Sequence, residues 1–149
     1  MNELNFEEYK KSVLNQISEI KNIVLATSAD GSVTTRLVGQ LLYDNKIAFS
    51  TSGNSFKVEQ INKNPNVAFF LNGLNIEAEA RLCGHPEEHP VAVEAYVKKY
   101  PEYVSKYGYE PDDVLVIADI KKVQIYTFTD RACKDIVDFK EERAYRIEL

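Results

Sequence analysis

The hydrophobic positions change period several times along the chain, and each change marks an element. Phe6, Tyr9, Val13, Ile17 and Ile20 recur at steps of three and four, which places them on one face of an α-helix. Asn5 can cap its start, and Glu7 and Glu8 put negative charge in the first turn, where the helix dipole favours it. The spacing predicts an amphipathic helix over 6–19. The period then falls to two. "NIVLATSA" (22–29) ends at Asp30-Gly31, a two-residue hairpin signal, and "SVTTRLVGQLLY" (32–43) forms the return strand. In that strand Val33, Thr35, Leu37 and Gly39 point one way, and Thr34, Arg36, Val38 and Gln40 the other. Asp44-Asn45 make a second turn before "KIAFST" (46–51), completing an antiparallel meander.

A short helix is expected from Ser55 to Lys63, stopped by Pro65, whose ring pushes Asn64 out of helical geometry. "NVAFFLN" (66–72) is an uninterrupted apolar run and predicts a strand buried on both faces. "NIEAEARL" (75–82) alternates, with Ile76, Ala78, Ala80 and Leu82 on one face. Residues 89–108 read as a helix, an interruption at Pro101 and a second short helix. "VLVIADI" and "VQIYTFT" (114–128) read as strands separated or bent around Lys121-Lys122. The charged tail from Asp130 to Leu149 fits either a helix or an edge extension. Six or seven strands joined mostly by tight turns, with helices between them, give an α+β fold. An antiparallel barrel, closed or partly closed, is the natural way to remove its sheet edges.

A length of 149 residues suits one domain spanning 1–149, large enough to fold without disulfides or metal. The net charge of −5 argues against nucleic acid as a partner. No apolar run approaches the roughly 20 residues of a membrane span. With only Cys83 and Cys133, far apart, and no signal-like N-terminus, a reduced cytoplasmic protein is expected.

The chemistry concentrates in "FSTSGNSFKVEQINKNP" (49–65). A helix N-terminus presents unpaired N–H groups and partial positive charge, and phosphate binds there readily. Ser50, Thr51 and Ser55 add hydroxyls, and Lys57 adds a full charge. Arg36 lies on the strand that pairs with 46–51 through the Asp44-Asn45 turn: Tyr43 then faces Lys46, and residue 40 faces residue 49. Two cations and a hydroxyl cluster converge at one end of the barrel. The competing reading caps the helix with Ser55, solvates Lys57, and pairs Arg36 with Glu59 or Glu77.

The ordered set Arg36-Leu37-Val38, Phe49-Ser50-Thr51, Ser55-Phe56-Lys57, Gln60-Ile61 and Asn64-Pro65 resembles the pyridoxamine 5′-phosphate oxidase-like, FMN-binding split-barrel family. The resemblance implies a split barrel of six or seven strands and a homodimer with FMN at the subunit interface. It implies that Arg36, Ser55 and Lys57 hold the FMN phosphate, while Leu37, Val38, Ser50 and Thr51 line the ribityl chain and isoalloxazine. Phe56 stands where that family often has a second basic residue, and Asn72 is the nearest match to a family glutamine. The vitamin-oxidising members carry a C-terminal tryptophan and arginine pattern. This chain has no tryptophan, and Arg143 and Arg146 in "EERAYRIEL" do not reproduce the pattern. The resemblance is therefore to short flavin reductases, including the nitroimidazole-resistance type, which reduce a small electron-poor substrate with electrons from a nicotinamide or other donor. A non-catalytic or stress-related flavin binder, or a relative using haem or deazaflavin, is the alternative.

Cys83, His85 and His89 form C-x-H-x₃-H. A fourth ligand is not evident, and Pro86 and Pro90 break any helix aligning the histidines, so a loop with capping histidines is expected and no metal. Tyr96, Tyr100, Tyr103, Tyr107 and Tyr109 have roughly helical spacing and read as core or dimer packing.

Overall fold

A computed structural model describes residues 2–102 and 109–149. The leading helix, α1 (Phe6–Ser18), follows a short strand, β1 (Asn2–Leu4). The Asn5 side chain accepts the Glu8 N–H at 3.0 Å, capping α1, and Val13 and Ile17 turn into the core. The chain continues through β2 (Asn22–Ala29), β3 (Ser32–Gly39), β4 (Leu41–Tyr43), β5 (Lys46–Ser52), α2 (Phe56–Lys63), β6 (Asn66–Leu71), β7 (Leu74–Leu82) and α3 (Pro90–Lys99). It ends with β8 (Asp113–Phe128), β9 (Ala132–Asp138) and β10 (Arg143–Glu148). The second helix expected after Pro101, with Tyr103 and Tyr107, lies outside the described residues.

Every strand pairing is antiparallel, and the strands run β1-β10-β9-β8-β7-β6-β2-β3, with β5 joining β8 and β4 joining β5. Among the described residues ten strands replace the six or seven expected. The charged tail supplies β9 and β10, and β10 draws the N-terminus into the sheet as β1. The 32–43 stretch is not one strand. It breaks at Gln40, whose fully buried side chain donates to the Ile17 and Ile20 carbonyls at 2.7 and 3.0 Å. The two carbonyls lie at and just beyond the end of α1, where the helical ladder no longer supplies its i+4 donors. Pairing with β5 holds from Tyr43–Lys46 to Leu41–Ala48 as counted from the turn, but residue 40 leaves before reaching residue 49.

Residues 114–128, read as strands separated or bent, form the single long strand β8, and the bend is there. Glu77 faces Lys122 while Ala78 faces Ile120, leaving Lys121 as an extra residue. Such a bulge turns a strand. Before it β8 pairs with β5, and after it with β9, so the sheet forks there. The core fills the concave side with Ile17, Leu25, Ile47, Phe49, Phe69 and Ile76, each no more than 2% exposed. The expectation that 66–72 is buried on both faces fails. Burial alternates along β6, and Phe70 stays about half exposed beside Val24 and Asn75, because no described element covers the outer face there. Among the described residues no helix is long and apolar enough to cross a membrane.

Candidate functional site

The Asp30-Gly31 turn, with φ of 51° and 80°, fixes the β2–β3 register. Thr27 therefore faces Thr34, and Leu25 faces Arg36, all on the inner side. Arg36 donates to the Leu25 carbonyl at 3.2 Å, to Thr27 Oγ1 at 2.8 Å and to Thr34 Oγ1 at 2.5 Å. Both hydroxyls donate hydrogen bonds to Gln60 Oε1, at 2.5 and 2.8 Å. Gln60 is fully buried on α2, and its Nε2 donates to the Ser32 carbonyl at 3.2 Å. A directional chain of neutral oxygens thus holds the guanidinium in place without neutralising it.

Lys57 lies one helical turn before Gln60, on the same side of α2. Its ammonium donates to Thr51 Oγ1 at 2.7 Å. Its pKa is lowered from the ordinary lysine value, first by desolvation and then by the nearby Arg36 charge; Arg36 is itself lowered by desolvation. Neither cation has a carboxylate partner among the described residues. Glu59 pairs with Lys63, and Glu77 accepts from Gln124, so the glutamates proposed as alternative partners for Arg36 are engaged elsewhere. Two like charges held together and partly dehydrated are unfavourable unless an anion joins them.

Ser55 occupies the cap position of α2, but its side chain makes no capping hydrogen bond. Its Oγ is buried and has no hydrogen-bond partner among the described residues. The cap expected of that hydroxyl is therefore absent. The loop before it is fixed from elsewhere: Ser52 Oγ and Asn54 Nδ2 donate to Asp112 at 2.9 and 3.0 Å, and Gly53 N–H donates to the Asp112 carbonyl. A Cβ at Gly53 would stand 2.6 Å from that carbonyl oxygen, so glycine is required there.

Lys57 thus meets Thr51 and feels the Arg36 charge, and Ser55 stands at the start of the same helix. Ser50, on β5 opposite Leu115, is half-buried beside them in sequence. Val38 points inward, whereas Leu37 and Phe56 are 65% and 53% exposed. Asn72 is not joined to this group. It takes φ of 45° in the Asn72-Gly73 turn between β6 and β7, exposed to solvent. The residues missed by sequence reasoning are Thr27, Thr34 and Gln60, which position Arg36. The hairpin register contained the threonine pair, and Gln60 belonged to the ordered motif without a role; only the folded chain shows α2 laying its side chain across the pair.

Elsewhere, the loop histidines serve the backbone. His85 Nδ1 accepts the Glu87 N–H, capping a short 3₁₀ turn, and Nε2 donates to the Glu110 carbonyl. His89 Nε2 donates to the Cys83 carbonyl at 2.6 Å. Tyr96 and Tyr100 stack at 4.6 Å, and the Tyr100 hydroxyl reaches the Gln40 and Lys21 carbonyls.

The fold has known counterparts. A pyridoxamine 5′-phosphate oxidase-related, FMN-binding protein from Nostoc punctiforme superposes with a TM-score of 0.64 at 15% identity, covering 100% of this chain and 99% of that one. A FAD-binding protein from Mesorhizobium loti gives 0.59 at 13%, covering 78% and 90%. A NimC/NimA family protein from Clostridium acetobutylicum gives 0.56 at 16%, covering 97% and 95%. At such identities the likeness is one of fold. No curated protein matches the sequence. The family profile described as pyridoxamine 5′-phosphate oxidase matches residues 9–127, and the chain therefore belongs to the pyridoxamine 5′-phosphate oxidase family.

Proposed function

We propose that this protein binds FMN through the flavin phosphate and acts as a flavin-dependent oxidoreductase. One observation carries the reading: among the described residues Arg36 and Lys57 are held by threonine hydroxyls and by no carboxylate, and the Ser55 hydroxyl, two residues before Lys57, is buried without a hydrogen-bond partner. A phosphate would neutralise the first two and accept a hydrogen bond from the third. The names of the Nostoc and Mesorhizobium proteins support a flavin as its bearer.

In this reading Arg36, Ser55 and Lys57 anchor the phosphate, and Gln60 with Thr27 and Thr34 keeps the guanidinium aimed. Leu37, Val38, Ser50 and Thr51 line the path away from the phosphate. When bound, the flavin supplies hydride and electron transfer; the protein supplies position and surroundings. The absence of tryptophan and the engagement of the tail arginines argue against pyridoxamine phosphate as substrate. Arg146 pairs with Asp135 and Arg143 with Glu3. A small electron-poor acceptor, reduced at the expense of a nicotinamide or another donor, fits better.

A homodimer belongs to the same proposal, as does the split-barrel form of the sheet. β3 ends the strand order and exposes Val33 and Leu37, at 72% and 65%. A second copy is the economical cover for such an edge. A cytoplasmic location accompanies it.

The test is the visible spectrum of the purified protein. Flavin absorption, with FMN released on denaturation, is expected. Colourless protein that fails to take up FMN would sink the reading. Anaerobic bleaching by NADH or NADPH, followed by reoxidation with a nitro compound or quinone, then separates a reductase from a passive binder.

A further inference from the structure

Lys99 is the last residue of α3, and its Nζ is buried without a hydrogen-bond partner among the described residues. An ammonium carries three donors and no acceptor, so burying it with nothing to receive them is unfavourable. A second cation comes to the same place. Lys21, between α1 and β2, and Lys99 hold their Nζ atoms 6.0 and 5.9 Å from the centre of the Tyr100 ring. The Lys99 pKa is lowered, first by desolvation and then by the Lys21 charge.

The ring between them is fixed. The Tyr100 hydroxyl reaches the Lys21 and Gln40 carbonyls at 2.7 Å each, tying the end of α3 to the end of α1 and to the β3–β4 break. Tyr96 stacks on it with 28° between the ring planes. The negative face of a phenol attracts a cation weakly and offers no oxygen to an ammonium set for hydrogen bonds. Neither lysine has a carboxylate partner among the described residues, whereas exposed Lys98 meets Glu94 at 4.0 Å. The C-terminal dipole of α3 attracts cations in general. It accounts for Lys98 equally well, and Lys99 donates to none of the last carbonyls of the helix.

We propose that Lys21 and Lys99 form an anion site of their own, which takes a compact oxyanion of charge near −2: phosphate, free or as a monoester. Ammonium groups are point charges without the planar fork of arginine, so charge selects the ligand more than shape does. A phosphate dianion answers both lysines, and a monocarboxylate leaves one unanswered. Lys21 is exposed and leaves the site open to solvent. The inference does not rest on the flavin-phosphate reading, which concerns Arg36 and Lys57 on other elements.

The test is nuclear magnetic resonance of protein carrying ¹³C at lysine Cε, free of flavin, at constant ionic strength. It is titrated with inorganic phosphate, phenyl phosphate and acetate. The Lys21 and Lys99 signals are expected to move together and saturate with either phosphate, and acetate should bind at least about tenfold more weakly. Tighter binding of phenyl phosphate than of inorganic phosphate assigns the monoester; the reverse assigns the free ion. Lys99→Gln should weaken the response of Lys21 about ten- to a hundredfold, through loss of one charge-assisted contact, and Lys98→Gln should leave it unchanged. Circular dichroism checks that each variant folds. An equal loss in Lys98→Gln, or equal affinity for acetate, overturns the inference. So does a phosphate response at Lys57 with none at Lys21 and Lys99, an outcome that leaves the flavin-phosphate seat standing.

Discussion

Two arginines of this chain sit in partly buried places, and the difference between them separates structure from function. Arg146, on β10, meets Asp135 on β9 with two hydrogen bonds of 2.7 and 3.0 Å. The Tyr9 hydroxyl from α1 donates to the same carboxylate at 3.1 Å. Asp135 is 4% exposed, and every charge there is answered within the fold. The Asp135 pKa is accordingly lowered, first by the Arg146 hydrogen bonds, against the opposing effect of burial. Arg36 has only hydroxyls, an amide oxygen and a carbonyl around it, with a second cation nearby. The first cluster ties α1 to the end of the sheet. The second is incomplete until something negative arrives.

The contrast can be broken most visibly at Asp135. Asp135→Ala leaves Arg146 and the Tyr9 hydroxyl without their shared acceptor. A fall in melting temperature of about 10 °C is expected, with flavin affinity of the folded protein unchanged. The pH dependence has a definite sign. A carboxyl whose pKa is depressed on folding contributes stability above the unfolded value of 3.8, and that stability is lost as pH falls through the lower folded value. The variant should lose this acid-side dependence. An unchanged melting curve would remove the contrast at its structural end.

Lys57→Ala should act the other way round. FMN affinity is expected to fall about ten- to a hundredfold, measured by calorimetry, through loss of one charge-assisted contact. The melting temperature of the ligand-free protein should not fall, because a desolvated cation with a like-charged neighbour has been removed. With its pKa depressed in the folded state, Lys57 opposes folding at neutral pH, and this cost fades as pH rises through the folded value towards 10.5. Flavin affinity should decline over the same alkaline window as the ammonium loses its proton. Destabilisation with unaltered affinity would make Lys57 a structural residue.

The smallest expected effect is at Ser55. Ser55→Ala removes a hydroxyl that has no partner in the free protein. It should weaken FMN binding by several-fold, about 1 kcal/mol, and leave ligand-free stability equal or slightly raised. If Ser55→Ala destabilises the free protein as the loss of a helix cap does, the hydroxyl serves the helix after all.

Much of this was legible before any coordinates. Asp30-Gly31 gave the hairpin, and the alternation along 32–43 put Thr34, Arg36 and Val38 on one face. Pro65 gave the end of α2. Lys121-Lys122 marked the bend in β8. What misled was local pattern where distant partners decide. The apolar run at 66–72 could not reveal that the outer face beside Phe70 stays uncovered. The charged tail gave no clear period, yet it forms two strands because β8 offers an edge for β9 once β5 has departed. Gln40 looked like one more strand residue and instead closes the end of α1.

By itself the sequence determined the local elements and the identity of the cations, because hairpin turns, caps and periodicity act over a few residues. It also carried the ordered motif from Arg36 to Pro65. Only the tertiary structure decided which charges were neutralised. That depends on whether a carboxylate from a distant strand arrives, as Asp135 does for Arg146, or whether neutral oxygens arrive, as from Thr27, Thr34 and Gln60 around Arg36. A charge is paired or left unpaired by what the folded chain brings within hydrogen-bond distance. The neighbours at sequence positions 36 and 57 do not contain that information.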